Sequence, residues 1–123
     1  MNAIRLQAND VTVIDLKGRI TLGEGTGSLR GILQPLLERG YKRIVLNLAE
    51  VSYLDSARTG ELIHAYRRAQ DCQGEIKLAH LGEMIQDMLQ ITKLYTVFDV
   101  YADEVEAVAA FGRDEQSEIL TAV

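Results

Sequence analysis

A single cysteine, Cys72, leaves the chain with no internal disulfide to form, which fits a reducing compartment. There is no tryptophan and only one proline. No apolar run approaches the roughly 20 residues of a membrane span. Asp10 and Asp15 interrupt the first twenty residues, and no apolar block lies among them. No signal peptide is therefore expected, the expected location is cytoplasmic, and membrane contact is expected only through a partner. Basic residues are outnumbered, 13 against 18 acids, for a net charge of -5 and a pI near 5.0. Arg67 and Arg68 are the only adjacent arginines. A nucleic-acid partner is excluded on this count, because phosphate binding needs a concentrated basic face.

Catalytic and metal patterns are missing as well. One cysteine and two histidines at unrelated spacing make no zinc set. The chain has neither a G-x-x-x-x-G-K-[ST] loop nor a G-x-S-x-G turn. His64 lies eight residues from Ser56 on the same predicted helix, more than two turns away. His80 closes a different strand and reads as a strand-end histidine. The expectation is a protein that is not an enzyme, with no metal and no cofactor.

What is present is a globular composition: 47% hydrophobic and 25% charged over 123 residues, enough for one domain with one core. Residues 3–7 and 10–17 read as a hairpin of two strands. Val11, Val13 and Asp15 fall on one face of the second, and Thr12, Ile14 and Leu16 on the other. The glycine-rich stretch 18–28 reads as a loop. A helix follows, with Ser28 as a candidate N-cap and Leu29, Ile32, Leu33, Leu36 and Leu37 as its stripe. Gly40 is placed to end it, and Pro35 implies a kink or an irregular first part.

"RIVLNLAEV", residues 43–51, is nearly continuous in apolar residues, as in a strand covered on both faces. A helix over 56–71 is predicted to bury Ala57, Leu62, Ile63, Ala65, Tyr66 and Ala69, with Gly74 ending it. A strand at 75–81 and a helix at 82–90 follow, the latter with Met84, Ile85, Met88 and Leu89 inward. Those four could instead partly serve an interface. A short strand at 97–101 and a helix at 102–111 complete the order β-β-α-β-α-β-α-β-α. The fold class is α/β, with a mixed central sheet of about five strands and about four helices. The domain is expected over residues 1–112, with 113–123 as a C-terminal tail that frays or extends the last helix.

In such sheets, sites form beyond the carboxyl ends of the strands. "DSARTG", residues 55–60, stands at that end of the third strand and opens a helix. Asp and Ser are common helix caps, and a double cap is the plain reading. A phosphate on Ser56 would also meet unpaired N–H groups and the positive end of the helix dipole. It would add about -1.5 to -2 charges beside Asp55. Local sequence leaves both readings open.

The runs "VTVIDLKGRI", "RIVLNLAEVSYLDSARTGEL", "GEIKLAHL" and "MLQITKLYTVFDVYADEVEAVAAF" resemble the STAS domain, and within it the bacterial anti-sigma factor antagonists. The signature is LNL-x-x-V-x-x-LDS-x-x-x-G over residues 46–60, with L-x-x-x-F-x-V-Y at 94–101. The resemblance implies a phosphorylatable serine at Ser56, modified by a serine-kinase anti-sigma factor of the GHKL type. It implies that the unmodified protein binds that factor and frees the sigma factor, and that a phosphatase resets the switch. The partner-binding residues implied are Arg19, Thr21, Leu22 and Gly23 in the loop after the second strand, with Asp55, Ser56, Ala57, Arg58 and Thr59.

Two departures stand out. The family motif is close to D-S-[SAT]-G-L-G, and Arg58 and Thr59 stand at its glycine and leucine. Arg58 could obstruct docking, pair with a phosphate, or be a solvated helix residue. In "GRIT", residues 18–21, Arg19 and Thr21 stand where the family commonly has acids. A STAS subunit of a stressosome-like complex or of a lipid-transport ABC system is the second reading. A small-ligand or nucleotide-sensing domain is a third, with few converging polar groups to carry it. The oligomeric state is left between monomer and weak dimer.

Overall fold

A computed structural model of the chain describes residues 3–7, 10–20 and 29–112, with backbone alone at residues 3, 18–20, 29 and 30. β1 spans Ala3–Leu6, β2 Val11–Ile20, β3 Arg43–Leu54, β4 Glu75–Ala79 and β5 Asp99–Tyr101. The helices are α1 at Leu29–Glu38, α2 at Ser56–Asp71, α3 at Glu83–Thr92 and α4, helical over 104–112. The sheet runs in the order β1-β2-β3-β4-β5. β1 pairs antiparallel with β2, and the other pairs are parallel. This is the expected mixed α/β sheet.

Because β2 to β5 are laid down one after another in the same direction, crossovers of one hand carry α1, α2 and α3 to one face. That face holds the main core. Ile14, Leu16, Ile44, Leu46, Leu48, Ile76 and Leu78 of the sheet meet Leu33 and Leu37 of α1, Leu62, Ala65 and Ala69 of α2, and Ile85 and Leu89 of α3. An edge-to-face contact between Tyr66 and Phe98, 5.0 Å between centroids, ties α2 to the entry of β5. On the opposite face Val11, Val13, Val45 and Ala79 meet Ala107 and Phe111 of α4. The alternation read in β2 thus serves two cores.

The α4 face carries the charged residues of the interior. Lys77 is 1% exposed. Its Nζ lies 3.1 Å from Asp99 Oδ2, 3.2 Å from Glu75 Oε1 and 4.8 Å from the Phe111 ring centre. Burial alone would favour the neutral amine, but these acids hold its pKa above the ordinary lysine value. Nearby, Arg5 of β1 donates to Asp15 of β2, 2.6 and 2.8 Å, and to Glu104 at the start of α4. Asn47 donates to Asp15 from β3, 2.8 Å. Arg5 therefore clamps an edge strand and the last helix to the sheet.

Several boundaries differ from expectation. β2 continues through Ile20 rather than ending at 17, because its backbone stays paired with β3 as far as Ile20↔Leu54, across two register shifts. β3 runs to Leu54 and β4 stops at Ala79. Residues 94–96 form a 3-10 turn, which leaves only Asp99–Tyr101 as the last strand. Helix α1 passes through Pro35 as one element. Ala57 and Met84 are not inward: Ala57 is exposed and Met84 is 60% exposed. Ile85 and Leu89 carry the α3 packing, while Met88 is partly buried. Ser28 and the tail 113–123 lie outside the described residues.

Gly40 ends α1 as expected. It has φ +89°, and the Gly40 and Tyr41 N–H groups donate to the Leu37 and Leu36 carbonyls, a Schellman closure. At the end of α2 the left-handed residue is Gln73, φ 64°, not Gly74. Gly74 answers a different need: a Cβ there would sit 2.6 Å from the Lys42 carbonyl oxygen.

Three outcomes follow. Gly74→Ala should lower the urea midpoint by forcing β3 and β4 apart at their start, whereas Gln73→Gly should raise stability by about 1 kcal/mol by relieving a left-handed non-glycine residue. Arg5, by hydrogen bonding, holds the Asp15 carboxyl below the usual carboxylate range. Its stabilisation is then fully present above the unfolded-chain value of about 3.9 and is lost as pH falls through the lower folded value. Asp15→Asn should flatten the acid limb of stability against pH; an unchanged limb would show that Asp15 does not govern it.

Candidate functional site

The parallel ladder brings two chain segments to one edge. Arg19 is in register with Tyr53 and Ile20 with Leu54. β2 therefore ends in register with Leu54, two residues before Ser56 in the chain. Arg19 is placed by its backbone at this edge, beside β3. Thr21, Leu22 and Gly23 lie outside the described residues.

β3 hands over to α2 through Asp55. It is extended, φ -78° and ψ 172°, and its side chain accepts the Arg58 N–H at 2.7 Å. Asp55 is thus the N-cap. Ser56 is the first helical residue and does not share the cap, so a double cap is not formed. Its side chain is exposed, as is that of Ala57. Ser56 makes no side-chain hydrogen bond within the described chain.

Thr59 and Arg58 are held inward. The Thr59 hydroxyl donates to the Asp55 carbonyl, 2.9 Å, which doubles the first-turn bond from the Thr59 N–H to the same oxygen, also 2.9 Å. The Arg58 side chain is 12% exposed. Its guanidinium lies 3.8 Å from Asp55 and 3.4 Å from Glu61. Arg58 Nε and Glu61 Oε2 are buried without a hydrogen bond. Arg58 is therefore not a solvated residue, and a side chain so little exposed does not stand as a barrier over Ser56. Residues i and i+2 also point to different sides of a helix.

Glu61 was not among the residues singled out from the sequence. Its i, i+3 spacing from Arg58 is the signal that could have found it. Gly60 follows on the exposed side of α2, and a methyl there would meet nothing within 4 Å. A helix-interior glycine loses about 1 kcal/mol against alanine, and no packing among the described residues requires it. Its smallness leaves room for something approaching from outside.

Neither histidine is hydrogen-bonded to Ser56: His64 is exposed in the third turn of α2, and His80 is an exposed residue with φ 57° after β4. Among the described residues no group of three or more His, Cys, Asp or Glu is arranged to hold a metal ion. No described helix is long and apolar enough to cross a membrane.

Asp55→Ala should cost about 1 kcal/mol in urea unfolding by removing the cap. Gly60→Ala should gain about 0.5–1 kcal/mol. A loss of stability in Gly60→Ala would mean that the glycine serves the fold rather than an external surface.

The family model described as STAS domain matches residues 3–107. The anti-sigma-B factor antagonist of Bacillus subtilis is 29% identical over 99 residues, covering 80% of this chain and 88% of that protein. An anti-sigma factor antagonist from Mycobacterium paratuberculosis has a crystal structure that superposes with a TM-score of 0.76 at 17% identity, covering 90% and 94% of the two chains. The anti-sigma factor antagonist SpoIIAA, in its unphosphorylated form, matches with a TM-score of 0.66 at 15% identity, over 92% and 98%. The structure of the Bacillus SpoIIAA in its phosphorylated form matches at 0.67 and 18%, over 89% and 98%. With its mixed five-stranded sheet, its serine at the start of α2 and a family match over most of its length, the chain belongs to the STAS domain family, among relatives named as anti-sigma factor antagonists.

Proposed function

We propose that this protein is an anti-sigma factor antagonist, a binding module that catalyses nothing. It docks a serine-kinase anti-sigma factor of the GHKL type through the start of α2 and the loop after β2, and so frees a sigma factor in the cytoplasm. Phosphorylation of Ser56 by that kinase breaks the complex, and a phosphatase restores it. The observation that carries this reading is Ser56 itself: an exposed hydroxyl at the first position of α2, with no side-chain hydrogen bond among the described residues, next to the N-cap carboxylate. The relative named anti-sigma-B factor antagonist, and SpoIIAA solved with and without phosphate, support it.

The physics of the switch is local. A phosphate on Ser56 is tolerated by the fold, because the first turn offers free N–H groups and a positive dipole end. A partner matched to a neutral hydroxyl loses the match, since about two negative charges arrive beside Asp55. Ala57 and Gly60 keep the same face shallow, so a partner backbone can come close. Arg58, folded between Asp55 and Glu61, neutralises part of the acid next to the switch.

The second reading is a STAS subunit of a stressosome-like complex or of a lipid-transport system, in which the same edge docks a protein without switching. Arg58 and Thr59 favour it, standing where the family has glycine and leucine.

Incubation with the serine-kinase anti-sigma factors of the same organism and ATP, followed by mass spectrometry, should place phosphate on Ser56. Ser56→Asp should abolish binding of the same factor, while Ser56→Ala should keep it. An acid at this position stabilises a helix start by about 0.3–1 kcal/mol, so lost binding in Ser56→Asp would not come from unfolding. Equal binding by both variants would end the switch reading and leave the constitutive one. Leu62→Ala, buried in the main core, should cost about 2–5 kcal/mol under either reading.

A further inference from the structure

The sheet leaves β5 open on one side. It is the last strand in the order, and among the described residues no strand lies beyond it. It pairs with β4 through Lys77↔Asp99, Leu78↔Val100 and Ala79↔Tyr101. The Tyr101 carbonyl accepts the His80 N–H at 3.3 Å, so the peptide groups of Tyr101 point towards β4. Peptide groups alternate in direction along a strand, and the N–H and C=O of Val100 therefore point out of the sheet. The next outward N–H groups are used within the chain. That of Phe98 donates to the Leu94 carbonyl, 3.1 Å, and that of Ala102 to Glu106 Oε2, 3.2 Å. The open edge is thus one residue wide. Too narrow to hold a long strand, it still offers one donor and one acceptor, which is what an antiparallel hydrogen-bonded pair exchanges.

The two faces beside this edge differ. Val100 shares the α3 face with Leu78. Val100 is 41% and Tyr95 56% exposed, and a hollow of about 500 Å³ lies on this side, with Leu81, Leu89, Tyr95 and Val100 among its walls. Apolar surface on an edge strand is where pairing with another chain starts. Asp99 and Tyr101 share the α4 face with Lys77 and Ala79. There Lys77 Nζ lies 3.1 Å from Asp99 Oδ2 and 3.4 Å from Tyr101 Oη. An ammonium only donates, so the Tyr101 oxygen accepts from it and the phenol proton is left to give. The Asp99 side chain is exposed, and a carboxylate has acceptor capacity for more than one bond.

We propose that two copies of the chain pair β5 to β5 across a two-fold axis at Val100, making one continuous sheet. Val100 exchanges both backbone bonds with Val100 of the second copy. In that register Asp99 stands opposite Tyr101 of the second copy, and Tyr101 opposite its Asp99. These are non-hydrogen-bonded positions, where facing side chains stand close. Each Tyr101 hydroxyl donates to the facing Asp99 carboxylate, with a Lys77 ammonium beside it, and no like charges are set against each other. On the other face Val100 and Tyr95 of both copies cover one another beside the two hollows. The contact is isologous and closes on itself. A one-residue edge with an acid on one side of it and a phenol on the other matches its own two-fold copy, which is why the occupant is a second copy. None of these residues belongs to the start of α2, so the contact stands or falls independently of the switch at Ser56.

Sedimentation equilibrium of the full chain, from micromolar to millimolar concentration, tests it. The mass should rise from 13.7 kDa towards twice that value. Val100→Lys, which sets two ammoniums against each other at the axis, should hold it at the monomer value throughout. Leu6→Lys, exposed on β1 at the far edge, should dimerise like the wild type. Val100→Cys with Cys72→Ser reads the axis directly. The Cα atoms of a hydrogen-bonded antiparallel pair stand about 5.5 Å apart, within disulfide reach, so mild oxidation should give a covalent dimer. Leu6→Cys with Cys72→Ser should give none. Val100→Cys alters the edge little, so the cross-link decides even where Val100→Lys does not fold. A wild-type mass that stays monomeric would overturn the proposal. So would a dimer that survives Val100→Lys, a dimer broken by Leu6→Lys instead, or the absence of a cross-link in the Val100→Cys chain.

Discussion

The parallel pairing of β2 with β3 is the interaction on which the rest of the molecule depends. It runs from Val11↔Arg43 to Ile20↔Leu54, the longest ladder in the sheet. Its lower part sets both cores, because alternate residues of β2 face α1 and α2 on one side and α4 on the other. Its upper part ends β2 beside Leu54, two residues before Ser56. A one-residue slip would turn every buried side chain of β2 to the wrong face, so the site's geometry is secured by the same hydrophobic pattern that secures the fold. Register shifts at Asp15/Lys17 and Gly18/Arg19 let the ladder continue past the point where strict alternation ends.

The two faces of the sheet are stabilised differently. The face under α1, α2 and α3 is a conventional apolar core. The face under α4 is narrower and holds Lys77 and the Arg5, Asp15, Asn47 and Glu104 network. Such groups cost desolvation energy and stabilise only when every partner is present. Here the acids satisfy them, and the aromatic ring of Phe111 sits below the Lys77 ammonium. The position of α4 is thus specified by polar geometry at its first turn and by Ala107 and Phe111 further along.

At the start of α2 the fold and the proposed function draw on the same few residues in opposite ways. Asp55 and Thr59 strengthen the helix start through cap and hydroxyl bonds. Gly60 weakens the helix, and a methyl in its place would meet nothing among the described residues. Ser56 and Ala57 face outward from a turn that is otherwise tightly held. A rigid edge with small exposed side chains is what a close-docking partner requires, and a rigid edge also makes an added phosphate hard to accommodate by moving away.

Much of this was legible from residue order. The alternation in β2, the stripe of α1, the Gly40 stop and the Asp55 start are local patterns, and local patterns dictate which element forms. The element order and the α/β class followed from them. Position in space did not. Whether Ala57 and Met84 lie inward depends on how far each helix rotates over the sheet. The extension of β2 to Ile20 depends on β3 being alongside. The clamp of Arg5 on Glu104 joins residues 99 apart in the chain, and Lys77 is buried because Asp99, Glu75 and Phe111 converge from three elements. Residue order left Arg58 open between obstructing docking, pairing with a phosphate and being solvated; its side chain is 12% exposed in the folded chain. The sequence by itself determined the elements and put Ser56 at a helix start, because caps, turns and periodicity act over a few residues. Only the tertiary structure decided which side chains are exposed there and what lies beside them, because exposure is set by contacts between segments far apart in the chain.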